Sequence, residues 1–181
     1  MKTFMQHTAT KPPIAMDKSE TQFGGISQVA VVVRDLQKAV ENYWKTLRIG
    51  PWSVYTFAPP TLMETEVRGR HLHYSMRLAL TRAGPVEIEL IEPLEGPSVY
   101  EEFLAKKGEG LHHLGALVDN VSATLAAFRK MGIDVLMSGK WGDVSEFYYM
   151  DTEPVLGIVY EIIKRKKTRP PPEVVYPPQI G

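Results

Sequence analysis

Two stretches of this 181-residue chain repeat one another in kind. Aligned without a gap, QVAVVVRDLQKAVENYWKTL from Gln28 and HLGALVDNVSATLAAFRKMG from His113 each open with an apolar run of strand character. Each then passes a polar turn, Arg34-Asp35 or Asp119-Asn120, and continues with apolar residues at helical spacing: Leu36, Ala39, Val40 and Tyr43 in the first copy, Val121, Leu125 and Phe128 in the second. A glycine follows each helix, Gly50 or Gly132, as helix stops commonly require. The copies also end alike, because VEIELIEP from Val86 slides over IVYEIIKR from Ile158 and sets Glu89 on Glu161. An internal repeat outranks any local propensity in deciding a fold. Here it predicts an α+β protein of two βαβββ modules side by side, residues 23–97 and 98–164.

The first copy has the longer middle, PWSVYTFAPPTLMETEVRGRHLHYSMRLAL, which reads as a proline-containing loop followed by a strand-like run from His73 to Leu80. Residues 1–22 are polar and aperiodic and are expected to form a flexible arm. Residues 165–181 form a basic, proline-rich tail, expected to be a solvated run that wraps its own domain or a neighbouring subunit.

Composition narrows the function. Lys+Arg and Asp+Glu are 21 each, so no overall field favours nucleic acid or an anionic membrane surface, and a small-molecule or protein partner is expected. There is no Cys, which excludes disulfides and thiolate metal sites and fits a reducing compartment. No apolar run reaches membrane-spanning length and the first residues lack the apolar segment of a secretory signal, so the cytoplasm is the expected location.

Strand parity then sorts the polar residues, since side chains two apart share a face. His113 shares a face with Gly115 and Leu117, and Gln28 with Ala30 and Val32. Glu89 goes with Glu87 and Ile91, and Glu161 with Val159 and Ile163. Gln28, Glu89, His113 and Glu161 thus hold repeat-equivalent positions inside apolar strands. Burying two carboxylates together is unfavourable unless a cation neutralises them. One imidazole nitrogen with amide and carboxylate oxygens suits Zn, Ni, Co, Mn or Fe(II). Parity sends His112 to the other face, in a packing or supporting role, so His113→Ala is expected to lose metal and His112→Ala to keep it. His71 and His73 alternate on one strand and read as a polar edge or an anion or metal site.

ISQVAVVVRDLQKAVENYW, VEIELIEPLEG, GEGLHHLGALVDNV and FYYMDTEPVLGIVYEII, in that order, resemble the vicinal oxygen chelate superfamily, in the branch that holds glyoxalase I and methylmalonyl-CoA epimerase. The resemblance spans roughly residues 23–164. It implies paired modules forming a cupped mixed sheet around one divalent metal, usually in a homodimer, with Gln28, Glu89, His113 and Glu161 as the metal ligands. The Gln-Glu-His-Glu set resembles that of glyoxalase I enzymes favouring zinc, whereas epimerases of this type carry His and Gln at the first two positions. Val32 stands where glyoxalase I enzymes place an arginine for glutathione, and LHYSMRLAL offers no carboxylate for the epimerases' additional acid/base glutamate.

The expected activity is a metal-dependent isomerase or lyase, with Glu161 as base and Glu89 as its counterpart. Trp52, Tyr55, Phe57, Trp141, Phe147 and Tyr149 are expected to line the cup, and Arg68, Arg70 and Arg77 to hold a carboxylate or phosphate. An epimerase-like racemase, an Fe(II) ring-cleaving dioxygenase and a non-catalytic small-molecule binding protein are the alternatives.

Overall fold

A computed structural model describes residues 25–178. The predicted N-terminal arm lies outside them. Strand β1 (Ile26–Val32) leads into helix α1 (Leu36–Leu47), and β7 (Gly110–Leu117) into α3 (Val121–Lys130). The polar turn of each repeat is the helix start. Asp35 accepts a hydrogen bond from the Lys38 amide at 2.9 Å, and Asn120 from the Ala123 amide at 3.0 Å, each satisfying an amide the first helical turn leaves free. α1 stops earlier than Gly50 suggests: Arg48 takes the left-handed conformation (φ 56°), and its amide closes the last turn on the Trp44 carbonyl. Gly132, at φ 73°, ends α3 as expected.

The first module continues with β2 (Trp52–Phe57), β3 (Leu62–Val67), β4 (Arg70–His71), β5 (Ser75–Ala83) and β6 (Val86–Glu95). The second continues with β8 (Val135–Trp141), β9 (Ser145–Met150), the short helix α4 (Glu153–Leu156) and β10 (Val159–Arg165). All strands join one curled sheet in the order β11-β2-β5-β6-β1-β7-β10-β9-β8-β3-β4, where β11 is Val174–Tyr176. Each opening strand runs parallel to its module's last strand, β1 to β6 and β7 to β10, and the two opening strands pair antiparallel with each other. The modules therefore meet edge to edge within one chain, related by a pseudo-twofold at β1 and β7.

Three features depart from the sequence reading. The long middle of the first copy is not a loop: β3 crosses to the second module and pairs with β8, Leu62 facing Trp141 and Val67 facing Met137. A further helix, α2 (Val99–Lys107), joins the modules and buries Val99, Tyr100 and Leu104 against the concave core. The tail is not a solvated run throughout, because β11 adds to β2 as an edge strand and Glu173 accepts from the Thr56 amide and hydroxyl at 2.7 and 2.9 Å.

The two sheet faces carry separate cores. Val33, Leu36, Val40, Trp52, Val54, Ala79 and Leu90 pack beneath α1 on the convex side, and Val118, Val121, Phe128, Met150 and Ile162 beneath α3. The concave side holds the largest cluster, including Ala30, Val32, Tyr55, Phe57, Met76, Leu78, Leu80, Ile91, Phe147 and Tyr149. With helices covering the convex face, the cup is where polar groups on the inner strands converge. Among the described residues no helix is long and apolar enough to cross a membrane.

Candidate metal centre

Four polar side chains meet at the floor of the cup, one from each of the four central strands. Gln28 of β1, Glu89 of β6, His113 of β7 and Glu161 of β10 are each at most 5% exposed. The Gln28 amide donates to Glu89 Oε2 at 2.5 Å and lies 3.4 Å from Glu161 Oε2. His113 Nε2 stands 3.2 Å from Glu161 Oε2 and 3.4 Å from Glu89 Oε2. These are ion-pair distances without hydrogen-bond alignment, and Nε2 is the buried side-chain polar atom left without a hydrogen-bond partner among the described residues. Such an orphan is costly unless something else binds it.

A divalent cation fits the arrangement. One ligand atom each of Glu89, His113 and Glu161 lies within 4.8 Å of the others. Donors about 2.0–2.1 Å from a tetrahedral ion stand roughly 3.3 Å apart, and the imidazole-to-carboxylate separations of 3.2 and 3.4 Å match that spacing. Gln28 would complete the set through Oε1 after a half-turn of its amide. Electrostatics agree: burial first, then the Glu161 charge, raises the Glu89 carboxyl. For His113 burial disfavours the charged ring, but Glu161 and Glu89 outweigh it and push the imidazole up to about 9. The centre thus holds positive charge whether as a proton or as an ion.

The second histidine is not on the opposite face. Ala30 pairs with His113 and Val31 with Leu111, so His112 is the extra residue of a β-bulge that turns it inward. Its Nδ1 lies 2.9 Å from His113 Nδ1. One of these nitrogens must donate. Burial first, then the His113 and Lys107 charges, holds His112 well below the usual imidazole range, so the neutral His112 accepts and His113 donates. This bond fixes the His113 tautomer with Nε2 aimed at the carboxylates, the arrangement by which outer partners orient metal-binding imidazoles. Tyr100, Phe103 and Tyr149 rings pack against His112, and the Tyr149 and His113 rings meet at a steep angle with centroids 4.8 Å apart.

Gly115 supplies room. A Cβ there would stand 2.9 Å from Ile163 Cδ1, 3.0 Å from Gln28 Cβ and 3.0 Å from Glu161 Oε2. Gly115→Ala is expected to displace Glu161, to weaken zinc binding and to cost about 1–3 kcal/mol of stability through overpacking. Zinc titration and urea midpoints check this, and wild-type values in both would refute it.

Above the floor the cup is walled by Phe57, Met76, Leu78, Leu80, Trp141, Phe147 and Tyr149, and its rim carries Arg165 and Arg169. Trp141 stacks on Phe57 with centroids 4.3 Å apart and meets Tyr55 edge-on at 5.5 Å.

The family model described as the Glyoxalase/Bleomycin resistance protein/Dioxygenase superfamily matches residues 27–149, through most of both repeats. The chain belongs to that superfamily. Solved structures similar to it include a hypothetical protein from Bacillus halodurans (TM-score 0.57, 17% identity, 80% of this chain and 96% of that one). Methylmalonyl-CoA epimerase from Mycobacterium tuberculosis is similar too (TM-score 0.57, 20% identity, 81% and 91%). So is a Streptomyces coelicolor methylmalonyl-CoA epimerase variant in complex with 2-nitronate-propionyl-CoA (TM-score 0.53, 22% identity, 82% and 99%). At these identities the likeness is one of fold. The uncharacterized Bacillus subtilis protein YqjC is 39% identical over 61 residues, 34% of this chain and 44% of that protein.

The superfamily cup admits some predicted substrate contacts and not others. Tyr55, Trp141, Phe147 and Tyr149 lie on the concave side, although the Tyr149 hydroxyl is engaged with Tyr100 at 2.6 Å. Trp52 lies on the convex side, fully buried beneath α1 with its indole N–H on the Ile49 carbonyl, and does not line the cup. Period 2 alone separates it from Tyr55 and Phe57. Arg68 pairs with Glu102 at 2.7 Å beside α2, Arg70 is exposed on β4, and Arg77 lies 4.0 Å from Glu92. None of these three lines the cup. His71 is exposed beside Glu66 at 3.4 Å, and His73 is exposed.

The charged residues at the rim are ones the sequence reading missed. Glu87, 3% exposed, accepts from Arg165 Nη1 at 2.6 Å and from Arg169 Nη1 and Nη2 at 2.8 Å each. Burial opposes its charge, but Arg169 and then Arg165 hold its carboxyl below the usual range. Parity held a clue, since Arg165 continues the face of Glu161 and Ile163, and Glu87 that of Glu89. Glu87→Ala would leave two largely buried guanidinium groups unbalanced and is expected to cost about 3 kcal/mol, read from urea unfolding midpoints. A cost below about 0.5 kcal/mol would show the pair to be solvated as an ordinary surface ion pair is.

Proposed function

We propose that this protein is a metal-dependent isomerase or lyase that moves a proton next to a carbonyl in a small oxygenated substrate. The observation carrying this reading is the meeting of two buried carboxylates and an unsatisfied imidazole nitrogen, at metal-ligand spacing, on the floor of an aromatic-walled cup. Gln28, Glu89, His113 and Glu161 would hold the ion, with zinc fitting the donor set best and nickel, cobalt or manganese also suited. When bound, the ion supplies Lewis acidity, polarising the substrate carbonyl and stabilising the negative charge that develops beside it.

The chain's own groups supply the rest. Glu161 takes the proton from carbon. Glu89, from the other module, can return one from the opposite side. Return from the opposite side inverts a stereocentre, and return by Glu161 to the neighbouring carbon isomerises. The Phe57–Trp141 stack and Phe147 keep water from the reacting carbon. His112 holds His113 in its ligand tautomer. A ring-cleaving iron site would need a His-His-carboxylate set, and His112 turns its Nδ1 to His113 rather than to the carboxylates.

Zinc-loaded protein incubated in deuterium oxide with α-hydroxy ketones and acyl thioesters tests the reading. Deuterium wash-in at the α-carbon of a member of either class, abolished by chelator, is expected. Tight binding of such compounds without exchange at any carbon would make the cup a binding site instead.

A further inference from the structure

Beside the cup lies a groove of about 480 Å³, and the two share Leu80, Arg165 and Arg169 in their walls. Arg82, Arg165, Lys166, Lys167 and Arg169 line the groove against one carboxylate, Glu87. Some of that charge is engaged: Lys166 pairs with Asp143 at 2.5 Å outside the groove, and Arg82 donates to the neutral Pro85 carbonyl at 2.8 Å. The deeper pair differs. Arg165 and Arg169 have side chains only 15% and 26% exposed, so both guanidinium groups are largely out of water. Glu87 alone bonds both, with Glu89 acting on Arg169 from further off, so the donors these guanidinium groups keep free are costly in so dry a place unless an anion complements them.

The pair is also held in place. Arg169 grips Glu87 through both terminal nitrogens, a fork geometry, while Arg165 uses one. Neither makes a further hydrogen bond to a described residue, so each keeps donors for something else. The backbone carrying Arg169 is fixed on β2 by the Tyr55 hydroxyl on the Pro170 carbonyl at 3.4 Å and by the Glu173 contacts.

Resting on the proposed function, we propose that the groove binds an anionic oxyacid group, a carboxylate or a phosphate, at the end of the substrate remote from the ion. Arg165 and Arg169 grip it, Lys167 and Arg82 add charge at the rim, and Glu87 positions the two arginines. The substrate class is then a carbonyl compound bearing a fixed negative charge.

Metal-free protein titrated with inorganic phosphate and with succinate at constant ionic strength, read by calorimetry, tests this without using the ion site. Saturable one-to-one binding is expected, weakened roughly tenfold to a hundredfold in Arg169→Gln. Arg169→Lys, which keeps the charge and loses the fork, should fall between, and Lys130→Gln, exposed on α3 away from the groove, should bind as wild type does. Thermal unfolding accompanies each variant. If Arg169→Gln fails to fold, the exposed Lys167→Gln must still weaken binding. Preference for phosphate assigns a phosphate ester, and preference for succinate a carboxylate. No saturation by either anion, or equal binding by the arginine variants, overturns the proposal. Zinc binding without anion binding would sink the groove alone, and anion binding without zinc binding would sink the metal reading alone.

Discussion

His113→Ala is expected to lower zinc affinity by roughly 10² to 10³, since the about 10–16 kcal/mol of four-ligand zinc binding is about 2.5–4 kcal/mol per ligand. The loss falls on the only imidazole among the three clustered ligand groups, whose Nε2 faces both carboxylates. His112→Ala is expected to lower affinity by about 10- to 100-fold, the usual cost of removing a partner that orients a metal-binding histidine. Strand parity alone predicts no loss for His112→Ala. The bulge and the 2.9 Å Nδ1 contact change that expectation. His112→Gln, which keeps an acceptor, should recover part of the loss. Competition with a chromogenic chelator gives all four affinities. Wild-type affinity in His112→Ala would show that the imidazole pair plays no part in holding the ligand tautomer.

Glu161→Gln is expected to slow α-carbon deuterium exchange by about 10²- to 10⁴-fold, the range a positioned general base supplies. Its amide retains an oxygen for the ion, so zinc content should stay near one per chain, separating loss of the base from loss of the metal. Glu89→Gln should behave differently: exchange at the α-carbon persists while inversion or product release slows. Equal loss of exchange in both variants would mean that the two carboxylates act as one proton-sharing unit and that the division of roles by module is wrong.

Much of the architecture was legible because a doubled strand-turn-helix pattern leaves few ways to bury two apolar strand faces. The polar turns are helix caps at Asp35 and Asn120, and the equivalent ends place Glu89 and Glu161 on β6 and β10, the strands that flank the central β1–β7 pair. What escaped depends on partners far away in sequence. β3 is defined by its pairing with β8, a long way along the chain, and no local pattern announces that crossing. The bulge at His112 is a property of the β1–β7 register, invisible in β7 alone. Arg165 and Arg169 look like part of a solvated basic run until Glu87 is seen beside them. Trp52 is different. Its strand phase set it on the convex face, and aromatic character drew it into the cup reading against that phase.

Anomalous diffraction at the zinc edge, from crystals grown with one equivalent of zinc, tests the central claim most directly. The account predicts one strong peak per chain, about 2.0–2.1 Å from His113 Nε2 and bonded to Glu89, Glu161 and Gln28. A peak confined to the exposed His71 and His73, or no peak at the cup floor, would contradict it.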